Sequence, residues 1–225
     1  MQEIRTIRVT GTGMLRLRPD MTRITITLTG CYPDYAEALR RSSEDTEVLK
    51  EVLEPMGFGR EDIKTLSFSV DTRYESYQDT DMTWKQRFAG YEFRHMLKIE
   101  FASDNERLGR ILYVLANTDK ITPEFRLSYT LKDTEKAKND LLAKSVQDAR
   151  EKAEVLAQAA GVSLLEIRTI DYSRQEVVFE TYPVNNMMRM MDTANEGAAA
   201  GSFAMNIEPD DIEVSDTVTI VWSIA

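Results

Sequence analysis

The chain has 225 residues, with 28 Lys and Arg against 38 Asp and Glu, a formal charge of −10, one histidine (His95) and one cysteine (Cys31). One cysteine excludes an intrachain disulfide framework and a structural zinc site built on several thiolates, and one histidine excludes the imidazole-rich metal sites. An acidic chain without a concentrated basic stretch is a poor match for a phosphate backbone, so no nucleic-acid partner is expected.

A hydrophobic content of 42% with 29% charged residues is that of a globular chain long enough to bury a real core. No window approaches the ~18 consecutive apolar residues of a membrane helix, so no integral membrane segment is expected. Residues Met1 to Val9 alternate like a strand and lack the apolar core of a secretory signal. As written, the chain is expected in the cytoplasm, or in the periplasm or exported if a signal has been removed.

Strand-like runs at 4–17 are interrupted by Gly11-Thr12-Gly13. Pro19-Asp20 then predicts a turn into Ile24, Ile26 and Leu28, giving a hairpin with one buried face. From Asp34 the period becomes helical, with Tyr35, Ala38, Leu39, Ser42, Thr46, Leu49, Val52, Leu53 and Met56 on one stripe. Asp34 with Glu37 resembles a capping box, and Gly57 sits where a helix-ending glycine belongs. A strand at 63–72 carries Leu66, Phe68 and Val70 on one face, and a polar connection follows at about 75–87.

The clearest alternation places Tyr91, Phe93, His95, Leu97, Ile99 and Phe101 together. Ser103 to Glu106 reads as a second capping box, opening a helix with Leu108, Ile111, Leu112 and Leu115 inward. A strand at 124–131 completes the order strand, helix, strand, strand, helix, strand over residues 22–131. That order predicts an α+β fold with an antiparallel sheet and the ferredoxin-like split βαβ arrangement. A long helix at about 134–160 carries Ala137, Leu141, Ser145, Ala149, Ala153, Leu156 and Ala160 on one side, mostly small residues that permit close backbone approach; Gly161 ends it. Strands at 165–172, 175–182 and a β-branched run at 212–224 follow, the last expected deep in its sheet. Residues 183–206 show no period and read as a long mobile arm. The whole is expected as one unit over 1–225, with sub-parts 22–131 and 132–225.

Each candidate site has a plainer explanation. His95 is a general base or ligand by type, but it lies on an apolar strand face without a second His or Cys, which favours a partly buried structural histidine. Cys31 lacks an electropositive neighbour or paired base. Gly11-Thr12-Gly13 lacks the third glycine and the following helix of a phosphate loop, so a bulge or strand bend is expected. Glu208, Asp210, Asp211, Glu213 and Asp216 lack EF-hand spacing and read as a solvated acidic turn. The methionines Met187, Met188, Met190 and Met191 suit an adaptable contact surface better than a thioether copper site. No catalytic constellation, cofactor site or metal site emerges, so an enzyme is not expected.

The residues resemble the SIMPL-domain (YggE-like) family. The likeness lies in Ile7 to Gly13 followed by Pro19-Asp20, in Glu37-Ala38, in Ile63-Lys64-Thr65, in Gly90-Tyr91, and in Lys144 to Ala153 continuing through Leu156-Ala157 to Gly161. It spans nearly the whole chain and departs at Pro209-Asp210, where relatives often carry Pro-Gly, and in the absence of the relatives' export signal. The resemblance implies an α+β fold, a link in bacterial members to oxidative-stress defence, and large homo-oligomers in some members. It carries no established catalytic residues. The function expected is that of a non-enzymatic protein that self-assembles through the 183–206 arm and an exposed sheet edge. The alternative is a stress protein that binds a small molecule or metal in a pocket between the long helix and the sheet.

Overall fold

A computed structural model describes residues 5–172, 176–183, 203 and 207–225. Its elements run β1 (Thr6–Leu17), β2 (Met21–Tyr32), α1 (Tyr35–Leu53), β3 (Lys64–Gln78), β4 (Trp84–Ala102), α2 (Asn105–Ala116), β5 (Glu124–Thr130), α3 (Thr134–Ala159), β6 (Leu164–Asp171), β7 (Glu180–Thr181) and β8 (Ile212–Ile224). The fold is α+β. The chain divides into two compact units, one made of 1–20, 130–181 and 210–225, the other of 21–129 and 182–209.

In the first unit three antiparallel strands lie in the order β1-β8-β6, so the β-branched last strand does hold the central place. β1 pairs with β8 without a register break from Thr6↔Ser223 to Leu17↔Ile212. The glycines at 11 and 13 therefore mark no bulge, contrary to expectation. Their role is close approach. A Cβ on Gly11 would stand 2.6 Å from the Ala149 Cβ, and nearer still to the Ser145 carbonyl and the Ala149 nitrogen. The small-residue face of α3 thus lies directly on β1, with Ala149 and Ala153 packed against Val9, Val218, Ile220 and Trp222. Polar bonds pin this contact: Gly13 N donates to Ser145 Oγ at 2.9 Å, and Thr12 N to Asp148 Oδ2 at 2.7 Å.

In the second unit the long strands lie in the order β3-β4-β2-β5, all antiparallel where their registers are defined. This is the ferredoxin-like order expected from 22–131. Its core joins Ile24, Ile26 and Leu28 of β2, Phe93, Leu97 and Ile99 of β4, and inward residues of α1 and α2. The α2 cap is Asp104 rather than Ser103, with its carboxylate accepting from the nitrogens of Glu106 and Arg107. Asp34 holds the N-cap position of α1 but makes no side-chain cap bond. Gly57, at φ 84°, closes the short 3-10 turn Glu54–Met56 that continues α1.

Three further expectations need correction. β1 and β2 are not a hairpin, because they belong to different sheets. The polar groups that would close their turn are spent elsewhere: Asp20 N donates to Thr130 O, and Asp20 Oδ1 accepts from Lys132 N. The run at 175–182 holds only the two-residue β7 among the described residues. The polar connection at 75–87 is largely strand, since β3 continues to Gln78 and β4 starts at Trp84. The aromatic residues in and beside it fall at irregular intervals, Tyr74, Tyr77, Trp84 and Phe88, among polar ones with no core to face, so the period that marks a half-buried strand is lacking.

Candidate functional site

β2 pairs with β4 only as far as Tyr32↔Tyr91. Before Tyr91, β4 has β3 as its strand partner, so the two project as a ribbon from Arg73↔Gly90 to Gln78↔Trp84. A register shift between Arg73 and Tyr74, and Gly90 at φ 149°, mark where the ribbon leaves the body of the sheet. A side chain at Gly90 would also meet Tyr32 O at 2.5 Å, so this position accepts only glycine.

The ribbon closes at Asp79–Thr83. Asp79 N donates to Thr83 O and Met82 N to Asp79 O, each at 2.9 Å, while Met82 takes the left-handed conformation at φ 64°. The Asp79 carboxyl is held below its ordinary pKa by Lys85 and then by the Thr80 nitrogen; the Asp81 carboxyl is lowered by Thr83. Lys85 bridges to Asp79, Arg87 to Glu75 and Arg73 to Glu92, so charge is paired along the ribbon.

Its apolar residues have no such cover. Met82 is 79% exposed and Trp84 72%. A row of rings runs from α1 outward, each pair edge to face: Tyr35 on Tyr91 at 5.5 Å, Tyr91 on Phe88 at 5.3 Å, and Phe88 on Tyr74 at 5.9 Å. Tyr74 is 57% exposed, and Phe68, further back on β3, is 46% exposed. Among the described residues β3 is also the last strand of its sheet, and every residue of it except Val70 is exposed. A long edge bordered by aromatic rings is a surface that native proteins normally cover.

His95 lies behind this edge, with a threonine hydroxyl on each ring nitrogen. The Thr46 hydroxyl donates to Ser42 O at 2.7 Å, so its lone pair accepts the His95 Nδ1 proton at 3.0 Å. Nε2 then accepts from the Thr65 hydroxyl at 2.9 Å. Burial, with Lys50 nearby, holds the imidazole below its ordinary pKa of 6.5. Phe68 packs edge to face on its ring at 5.2 Å. The geometry matches a structural histidine that ties α1, β3 and β4 together.

Cys31 is exposed, with its sulfur facing the Gly90 backbone. The acidic stretch is not wholly solvated as expected. Asp216 is buried, with Oδ2 accepting from Tyr172 Oη at 3.0 Å and Oδ1 from Thr217 N. Asp211 is instead bridged to Arg16 at 2.8 Å. Among the described residues no three His, Cys, Asp or Glu side chains converge as a metal set. Met187, Met188, Met190 and Met191 lie outside the described residues. Within the expected arm, Phe203 is described and is docked. Its nitrogen donates to Gly109 O and its ring meets Tyr113 at 5.4 Å. No helix among the described residues is long and apolar enough to cross a membrane.

The sequence motifs did not reveal the ribbon. The available signal was Tyr74, Tyr77, Trp84 and Phe88, aromatic residues too frequent for a solvated loop. The family model described as SIMPL, a protein of unknown function (DUF541), matches residues 7–222. No curated protein matches the chain.

Proposed function

The chain belongs to the SIMPL family, and from that premise we propose that it is a non-enzymatic protein that works by self-assembly through exposed sheet edge. The observation that carries the reading is the free, ring-bordered edge of β3, whose unpaired backbone groups and half-exposed Phe68 and Tyr74 call for a covering surface. The Met-rich stretch containing Met187, Met188, Met190 and Met191 is proposed as a second, adaptable contact. A role in bacterial stress defence is part of the proposal and is supported by the family resemblance alone.

The alternative, a ligand pocket between the long helix and its sheet, is not favoured where α3 meets β1. There even a methyl group on Gly11 or Gly13 would strike the helix. Light scattering on the full chain and on a chain lacking 184–204 tests the proposal. A mass above the 25.7 kDa of one chain is expected, and a fall on deletion assigns part of the contact to the Met-rich stretch. A single-chain mass for the full protein overturns self-assembly.

A further inference from the structure

β3 carries a charge pattern that its own sheet leaves incomplete. Arg73 is bridged to Glu92 and Glu75 to Arg87, both across to β4. Asp71 stands opposite Glu92 in the β3–β4 register and has no cationic partner among the described residues. It is exposed on an edge strand, two residues from Arg73 and on the same face. On the outer side of β3 no described strand sits.

Only a few antiparallel pairings of β3 with a second β3 are consistent with these residues. Registers that place an even-numbered residue opposite an odd-numbered one put the two apolar rows on opposite faces of the joined sheet. Of the registers that keep the rows together, one centred on Asp71 or on Arg73 sets like charges against each other. Centring on Tyr74 pairs Arg73 with Glu75 but leaves Asp71, the one of the three without an ion pair within the described residues, facing Tyr77; centring on Thr72 gives Asp71 a partner in an Arg73 that it shares with Glu92. Centring on Thr72 is different. Each Asp71 then meets the other copy's Arg73, Thr72 meets Thr72, and Val70 meets Tyr74, a β-branched residue against an aromatic one. The diagonal neighbour of Tyr74 across that seam is Phe68, so the two half-exposed rings cover each other.

We propose that the free edge of β3 is the seam between two copies of this chain, paired antiparallel about a two-fold axis at Thr72. This deepens the self-assembly reading and rests on it. Two copies joined in this way share one continuous sheet, the interface is the same patch on both, and the edge that invites indiscriminate pairing is consumed. Charge selects the register, and the backbone and ring contacts supply the affinity.

The test uses the full chain. Asp71→Arg places two arginines together twice in each interface, once on either side of the axis. It should weaken β3-mediated association by about ten- to thirtyfold, read as a fall in mass by light scattering. Asp71→Arg with Arg73→Asp restores the cross-copy pairs, and the arginine introduced at position 71 then sits opposite Glu92 and replaces the bridge within the chain. The double variant should recover the original mass. A second readout does not depend on those variants. With Cys31→Ser as background, Thr72→Cys should give a covalent dimer on mild oxidation, whereas Ser76→Cys, far from its own copy across the seam, should not. If the unmodified chain is oligomeric but Asp71→Arg leaves its mass unchanged, or Thr72→Cys couples no faster than Ser76→Cys, the β3 seam is wrong and self-assembly stands on other contacts. If the unmodified chain is a single copy throughout, both readings fall.

Discussion

Gly11→Ala is the sharpest test of how the first unit is built. In an ordinary strand this change would stabilise the protein slightly, because alanine has less backbone freedom to lose on folding. Here the added carbon would lie 2.6 Å from the Ala149 Cβ and closer to two helix backbone atoms, none of which can rotate away. The shortest approach, 2.1 Å to the Ser145 carbonyl oxygen, opens to the 3.4 Å of ordinary contact only if α3 withdraws by about 1.3 Å. That movement takes the 2.9 Å bond from Gly13 N to Ser145 Oγ to about 4.2 Å, beyond hydrogen-bonding range. Overpacking costs about 1–3 kcal/mol and a buried nitrogen left unpaired costs about as much, which far exceeds the entropic gain. A loss of about 3 kcal/mol is expected. Urea unfolding followed by the fluorescence of Trp222 measures it, since Trp222 is 3% exposed in the same core cluster, whereas Trp84 is largely in solvent. Met14→Ala, an exposed change on the same strand, should shift stability by less than about 0.5 kcal/mol. A Gly11→Ala protein as stable as the parent would refute the close-contact account of the Gly11-Thr12-Gly13 motif.

Other consequences concern the second unit. The Tyr129 hydroxyl is buried without a hydrogen-bond partner among the described residues, and burial pushes its pKa up to about 12. Tyr129→Phe should therefore raise the unfolding midpoint, by about 1 kcal/mol of stability; a loss of that size in a urea titration would mean the hydroxyl is satisfied. Asp104→Ala removes the α2 cap and should cost about 1 kcal/mol, whereas Ser103→Ala should cost little; the reverse order would restore Ser103 as the cap. For His95 the folded pKa lies below the unfolded value of 6.5, so the unfolded chain binds more protons in that window. Its contribution is complete above the unfolded pKa and is lost as pH falls through the folded one. Thermal melts across that range should show a steeper acid loss for the parent than for His95→Gln, and parallel profiles would exclude the histidine as the cause.

How far the chain could be read in advance follows from where its residues find partners. The alternation ending at Phe101 and the stripe from Tyr35 to Met56 each face one core along most of their length, so period alone predicts their elements and, in sequence, the ferredoxin-like order, although Tyr35 and Leu39 of that stripe are exposed. The small inner face of α3 was legible as a site of close approach, but the glycines that meet it lie over a hundred residues away. Read locally, Gly11 and Gly13 suggest an interrupted strand, and only the α3 contact shows why the strand needs them. The turn at Pro19-Asp20 misled for the same reason, since its polar atoms serve residues 130 and 132. The ribbon was hidden for a different one. Its strands face solvent on both sides, so no apolar period marks them, and the free edge of β3 follows from sheet order, not from any local pattern. The lone histidine and cysteine were legible from composition, and in the structure His95 spends both ring nitrogens on threonines.

Sedimentation velocity of the full chain across a dilution series separates self-assembly from a single-chain state. A species heavier than the 25.7 kDa chain is expected, giving way to lighter forms on dilution. A single 25.7 kDa species at every concentration would contradict self-assembly.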